Sequence, residues 1–166
     1  MSVARTLQVL RANRSGAAAA EMALVTPLLM ALLFATMEGS RYFLDEHVVL
    51  KAVRDGARFA SRQTFSAMPC GGTSTKLGEI RNIVRYGNTA GTGTVRLPYW
   101  TDPNTISVTI SCPAIGAYSG IYKGMASVPM VTVAATVPYA SLFGTLGFNT
   151  AGLNIVGQSQ SSVAGI

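Results

Sequence analysis

Residues 17–37 read AAAAEMALVTPLLMALLFATM, a run of 21 residues in which Glu21 carries the only charge. A helix of this length rises about 31 Å, close to the roughly 30 Å hydrocarbon core of a bilayer. No other stretch of the 166-residue chain is as long without polar interruption. The sequence therefore predicts one membrane-spanning helix at residues 17–37.

The charges that flank this run predict its orientation. The segment 1–16 contains Arg5, Arg11 and Arg14 and no acidic residue, whereas the other flank mixes acidic and basic side chains. Because basic flanks stay in the cytoplasm, we expect a cytoplasmic N-terminus and an exported C-terminal part. Part of the net charge of +6 comes from the three arginines of the N-terminal flank, which set the orientation in the membrane. The positive charge is therefore weak evidence for nucleic-acid binding, and we expect no nucleic-acid partner.

The junction before the apolar run has a pattern of its own. Gly16 precedes Ala17, and Glu21 is the fifth residue after that glycine. A secretory signal peptide would have a shorter apolar stretch, with its cleavage site after it. The arrangement resembles a type IV prepilin-like N-terminus, whose leader a prepilin peptidase removes by cutting after Gly. The resemblance implies a leader at residues 1–16 and cleavage between Gly16 and Ala17. An uncleaved signal anchor, with Glu21 near the headgroups, is the alternative.

Two stretches extend the resemblance to a particular family. Residues 16–33 read GAAAAEMALVTPLLMALL, and residues 49–61 read VLKAVRDGARFAS. Both are similar to the TadE-like minor pilins and pseudopilins of the Tad (tight adherence, Flp) pilus assembly system. Met22 stands where an aromatic residue is usual, Asp55 where Glu is usual and Phe59 where Tyr is usual. We expect the similarity to continue through residues 84–88, residues 106–113 and the C-terminal strands.

The resemblance implies a structural role in pilus biogenesis at the bacterial inner membrane. The expected partners are the prepilin peptidase, other pilins or pseudopilins of the Tad system and its inner-membrane assembly platform. Glu21 would be the assembly contact, meeting the N-terminal amine of an adjoining subunit. The exported domain would lie in the periplasm, and the subunit could also enter a surface pilus.

Beyond the span, the pattern predicts an amphipathic continuation of the helix over residues 38–63. Apolar residues recur there at helical spacing, and Arg54, Arg58 and Arg62 follow one another every four residues on a polar stripe. The stripe is either a solvated face, supported by Asp55 near Arg58, or a contact with a neighbouring subunit or anionic lipid. Within the span, Pro27 predicts a kink, because proline removes a backbone hydrogen bond.

Residues 64–166 predict a small exported sheet domain. A short helix at residues 76–86 would be capped by Ser74 or Thr75 and ended by Gly87. Alternation at residues 105–112, and again at residues 131–137 and 153–163, predicts antiparallel strands. The predicted fold class is α+β, with a long N-terminal transmembrane and stalk helix followed by a small antiparallel β-sheet domain with a short helix.

Cys70 and Cys112 both lie in the part predicted to be exported. An even number of cysteines in an oxidising compartment favours a disulfide over two separate buried thiols. Such a bond would fix the loop at Pro69 to the central strand of the sheet.

Catalytic patterns are not found in the sequence. His47 is the only histidine and has no second His or Cys at metal-ligand spacing, and no phosphate-binding glycine motif occurs. We expect no enzyme activity, no metal, no cofactor and no small-molecule substrate. The pair Tyr99-Trp100 is either an exposed contact or a plug at one end of the sheet.

Two other functions fit the same topology. One is an unprocessed, signal-anchored periplasmic binding domain. The other is a pseudopilin of a type II secretion machine, in which an aromatic residue is more usual where Ala17 stands.

Overall fold

The computed structural model describes residues 15–114, 120–145, 147, 150 and 152–166. Most of the predicted leader, residues 1–14, lies outside the described residues. The chain divides into two compact units, Met1–Ser40 and Arg41–Ile166. The fold class is α+β, as the sequence predicts. Its helices are α1 (Ser15–Ser61), α2 (Leu77–Tyr86) and α3 (Leu142–Thr145), and its strands are β1 (Ile106–Ser111), β2 (Met130–Pro138) and β3 (Asn154–Ser162).

In the first unit, α1 exposes its apolar side chains. Leu24 is 80% exposed and Met22 is 64% exposed, and the most apolar part of the helix, with a mean hydropathy of 1.9, is not buried by the protein. By its length and composition, this helix can cross a membrane once. The helix continues through Pro27, and the kink expected there stays a prediction.

Hydroxyl groups in this unit bond to the helix's own backbone. Thr26 donates to the carbonyl of Met22 at 2.6 Å, and Ser40 donates to the carbonyl of Thr36 at 2.8 Å. A hydroxyl without such a partner would be costly in hydrocarbon. These hydroxyl groups are therefore compatible with a lipid environment.

The second unit contains a three-stranded antiparallel sheet in the order β1-β2-β3. Val133 at the middle of β2 is opposite Val108 on β1 and Ser159 on β3. The predicted alternation is present, since Val131, Val133, Ala135 and Val137 are buried while the residues between them are more exposed. Period-two alternation places every second residue on the face that packs against the helices.

The core of the second unit lies between the sheet and the part of α1 that follows Ser40. Its fully buried side chains come from both elements, with Val49 and Val53 on the helix and Ile106, Val133 and Ile155 on the strands. With Ala52, Ala57 and Ala60, the buried helical positions recur at three- and four-residue spacing, so one stripe of α1 faces the core. The amphipathic pattern of the sequence is therefore explained by packing on the sheet.

Gly56 allows the closest approach within this core. A Cβ atom there would lie 2.6 Å from Cγ2 of Val84 and 3.5 Å from Cγ1 of Val133. Val84 is fully buried and stiff about its χ1 torsion. Glycine at this position therefore lets α1 pack directly on α2 and β2, and α1 passes through it without a break.

Replacing this glycine should destabilise the domain. We expect Gly56→Ala to lower the free energy of unfolding by about 1–3 kcal/mol, because the added methyl overpacks the core. The matched control is Gly78→Ala on α2, where a Cβ would meet nothing within 4 Å and alanine should raise stability by up to about 1 kcal/mol. Thermal melts of the two full-length variants in detergent would check this, and equal melting temperatures would contradict the close packing at Gly56.

The boundaries of α2 differ slightly from the prediction. Lys76, rather than Ser74 or Thr75, occupies the N-cap position, and the Oγ of Ser74 accepts a hydrogen bond from the Lys76 N–H at 3.0 Å. Ser74 therefore satisfies a helix-terminal donor that lies two residues further along the chain. At the other end Gly87 has a φ of +81°, the left-handed conformation in which glycine commonly ends helices.

Cys70 and Cys112 form a disulfide bond with a Cα–Cα distance of 5.8 Å. Cys112 directly follows β1, which is at the edge of the sheet, whereas β2 is central. The expectation that the bond reaches the central strand is therefore wrong, because the order of the strands places β1 outside β2. The bond fixes the loop at Pro69 to the end of an edge strand.

Loss of this bond should cost much of the domain's stability. The bond joins residues 42 positions apart, and in the chain-entropy model such a loop contributes about 4 kcal/mol. We expect the double variant Cys70→Ser/Cys112→Ser to unfold at clearly lower denaturant concentration than the oxidised protein. Thiol counting on the denatured, unreduced protein is the control, and two free thiols would contradict the bond.

Candidate functional site

The first candidate site is the start of α1. Gly16, Ala17 and Glu21 are all exposed, and a Cβ at Gly16 would meet nothing within 4 Å. Glu21 lies about 6 Å along the helix from Ala17. Within the described part of the chain, no side-chain hydrogen bond or ion pair is found for Glu21. A carboxylate in an apolar helix usually faces a protein partner, and Glu21 is accessible to one.

The second candidate site is a groove of about 550 Å³ on the second unit. The groove lies between the last turns of α1 and the C-terminal end of α2 with the loop that follows. Arg58 and Arg62 line it, whereas Arg54 does not, so only two members of the predicted arginine stripe belong to the groove. All three are exposed. Its remaining lining residues are Asp55, Phe59, Ile83, Gly87, Asn88 and Thr89.

Asp55 does not support Arg58 as the sequence suggested. Its carboxylate accepts a hydrogen bond from Nη2 of Arg96 at 2.7 Å. The same guanidinium reaches the carbonyl of Ile83 at 3.4 Å, and so it connects α1 to the end of α2. The acid of the groove is therefore already neutralised by a residue from another part of the fold.

In the part of the chain that the structure describes, Arg58 and Arg62 have no partner comparable to the Asp55 of Arg96. Within the residues that the structure describes, neither arginine takes part in the ion pairs Lys76–Glu79 and Arg96–Asp55. The groove therefore combines two unpaired guanidinium groups with apolar surface from Phe59 and Ile83. Such a surface can bind an anion that also carries apolar groups.

The aromatic pair is mainly structural. Trp100 is 1% exposed, and its indole N–H donates to Oγ1 of Thr105 at 2.8 Å. Arg85 donates to the carbonyls of Trp100 and Thr101 at 3.1 and 2.6 Å, a contact that no sequence pattern indicates. Of the two alternatives for this pair, the burial of Trp100 favours the plug.

Tyr99 is connected to the stalk part of α1. Its hydroxyl donates to the carboxylate of Asp45 at 2.7 Å. Burial, with a further contribution from this hydrogen bond, raises the pKa of Tyr99 above its usual range. The side chain therefore stays protonated at physiological pH and holds the loop before β1 against α1.

His47 is exposed on α1. Among the described residues, no group of three or more His, Cys, Asp or Glu side chains could hold a metal ion. The candidate surfaces are thus an apolar helix with one accessible carboxylate and a positively charged groove. Both are suited to contact with other macromolecules.

Comparison with known proteins relates one segment of the chain to a family. The family model described as TadE-like protein matches residues 16–58. Over these residues the chain is TadE-like, as the sequence predicts, and this relates it to the pilin-like components of the Tad pilus system. The match includes Gly16, Glu21 and Arg58 and ends before the sheet domain, so the similarity expected further along the chain stays a prediction. No curated protein and no solved structure matches the chain.

Proposed function

We propose that this protein is a minor pilin or pseudopilin that supports assembly of a tight-adherence pilus. One observation carries the proposal, namely the TadE-like segment 16–58, in which an exposed apolar helix begins with Gly16, Ala17 and an accessible Glu21. The protein acts by helix packing, and it has no catalytic role. The proposed function involves no cofactor, metal or small-molecule substrate.

Processing is the first step of the proposed function. The precursor lies in the bacterial inner membrane with residues 1–16 in the cytoplasm, where the arginines of the leader hold them. A prepilin peptidase cuts between Gly16 and Ala17 and leaves an ammonium group on Ala17. The exposed Gly16, with no side chain packed around it, supports access of the peptidase to this bond.

Assembly is the second step. Glu21 of one subunit pairs with the new N-terminal ammonium of an adjoining pilin, so that both charges are neutralised as apolar helices pack together. An acid inside a membrane helix is costly toward the bilayer centre and less so near the interface. The pairing removes that cost and sets the register between neighbouring helices.

The proposal predicts a pilus defect in cells that lack this protein. Deleting its gene should greatly reduce the number of surface pili seen by electron microscopy, while the major pilin is still made. Expression of the intact chain from a plasmid should restore the pili. Normal piliation of the deletion strain would contradict a role in assembly, and restoration by the exported domain alone would contradict a role for the helix.

A further inference from the structure

We propose that the groove beside Arg58 and Arg62 binds an extended acidic segment of a different protein. The groove holds about 550 Å³, which is within the size range of specific ligand sites. Two of its lining side chains are guanidinium groups without a carboxylate partner in the described part of the chain. The one acid of the lining, Asp55, is bound to Arg96 at 2.7 Å.

The spacing of the two arginines favours an extended segment. Arg58 and Arg62 are one helical turn apart, about 6 Å along α1. In an extended peptide, side chains two residues apart lie on one side and about 7 Å from each other. A segment with the pattern acid-x-acid can therefore place one carboxylate on each guanidinium, the donor group best matched to carboxylates.

The opposite wall indicates the residue between the two acids. That side chain points away from α1, toward the end of α2, where Ile83 and residues 87–89 form the lining. An apolar side chain there, or one with a single hydroxyl, would contact Ile83 and the neighbouring polar groups. The mixed lining thus fits a peptide better than a bare inorganic anion.

Charge argues against a second copy as the occupant. Residues 41–166, which form the second unit, contain ten Lys and Arg and five Asp and Glu. Two such positively charged surfaces repel each other, whereas a partner with an acidic segment is attracted to one. The inference rests on the proposed function for one point, which is that the partner would be another component of pilus assembly.

Peptide binding to the full-length protein tests the inference. The protein is placed in phosphatidylcholine nanodiscs and titrated against dye-labelled GSEVESG, with GSQVQSG as the uncharged match, and fluorescence anisotropy is measured. We expect the acidic peptide to bind, and its affinity to fall about five- to twentyfold in Arg58→Gln/Arg62→Gln. The control Arg54→Gln removes a charge from the same exposed stripe outside the groove and should change affinity less than twofold.

Three results would overturn the inference. The first is equal binding of the two peptides, and the second is an equal loss in Arg54→Gln and in the double variant. The third is absence of GSEVESG binding while a soluble short-chain phosphatidylglycerol, titrated in its place, binds and loses affinity in the double variant, because an anionic lipid would then occupy the groove. The assay uses the uncleaved chain, so its result does not depend on cleavage of the leader or on pilus formation. A failure of the proposed function would appear in those experiments and not in this one.

Discussion

A Gly16→Val chain is expected to accumulate in the membrane with residues 1–16 still attached. The substitution adds a branched side chain at the bond where the leader is proposed to be cut. A Cβ at this position meets nothing within 4 Å, so the folded protein accommodates it. Loss of cleavage would therefore reflect recognition by the peptidase rather than misfolding. Intact mass spectrometry of the extracted protein measures the fraction that is cut.

The matched control for this variant is Gly39→Val. Gly39 is in the same helix, and a Cβ there also meets nothing within 4 Å, so both variants introduce the same small gain in helix propensity, below about 1 kcal/mol. We expect Gly39→Val to be cut like the natural chain. Equal cleavage of both variants would contradict a processing site at Gly16.

A Glu21→Ala chain is expected to insert and to be cut normally but to fail in assembly. Removing the carboxylate leaves the N-terminal ammonium of the neighbouring subunit without a partner in an apolar environment. Breaking a buried ion pair in this way costs about 3–5 kcal/mol at each contact, enough to reduce pilus numbers severely. Pili counted by electron microscopy, together with the mass of the membrane-bound protein, separate assembly from processing.

Two further substitutions of Glu21 separate its charge from its size. Glu21→Gln keeps the shape and removes the charge, and should fail like Glu21→Ala. Glu21→Asp keeps the charge and should retain part of the assembly. Normal pilus numbers with Glu21→Gln would refute the pairing role.

Local patterns predict much of this fold. The apolar run at residues 17–37 indicates the helix, and period-two alternation indicates the strands that the structure places at β1, β2 and β3. The stripe of apolar residues on the second half of α1 indicates a buried face, which packs on the sheet. Each of these patterns is local, because it depends on residues within one or two helical turns or within one strand.

Contacts between distant residues could not be predicted in the same way. Arg96 is 41 residues from the Asp55 that it binds, and the sequence favoured the nearby Arg58 for that acid. The disulfide follows an edge strand because the order of strands is a property of the whole sheet. The close packing at Gly56 and the groove beside Arg58 depend on where α2 lies against α1, which no local pattern specifies.

For the candidate sites, short motifs indicate more than composition does. A short local pattern is enough to point to Gly16, Ala17 and Glu21, and the family match over residues 16–58 includes them. The arginine stripe is visible as a four-residue repeat, but its division into Arg54 outside and Arg58 and Arg62 inside the groove needs the tertiary structure. The sequence thus indicates which residues are candidates, and the fold determines which of them act together.

The most direct test of the account is the N-terminal sequence of the membrane-extracted natural protein. The measurement compares cells that contain a prepilin peptidase with cells that lack it. We predict a terminus at Ala17 in the first and at Met1 in the second. A terminus at Met1 in both strains would contradict the account, because the chain would then be an uncleaved signal-anchored protein.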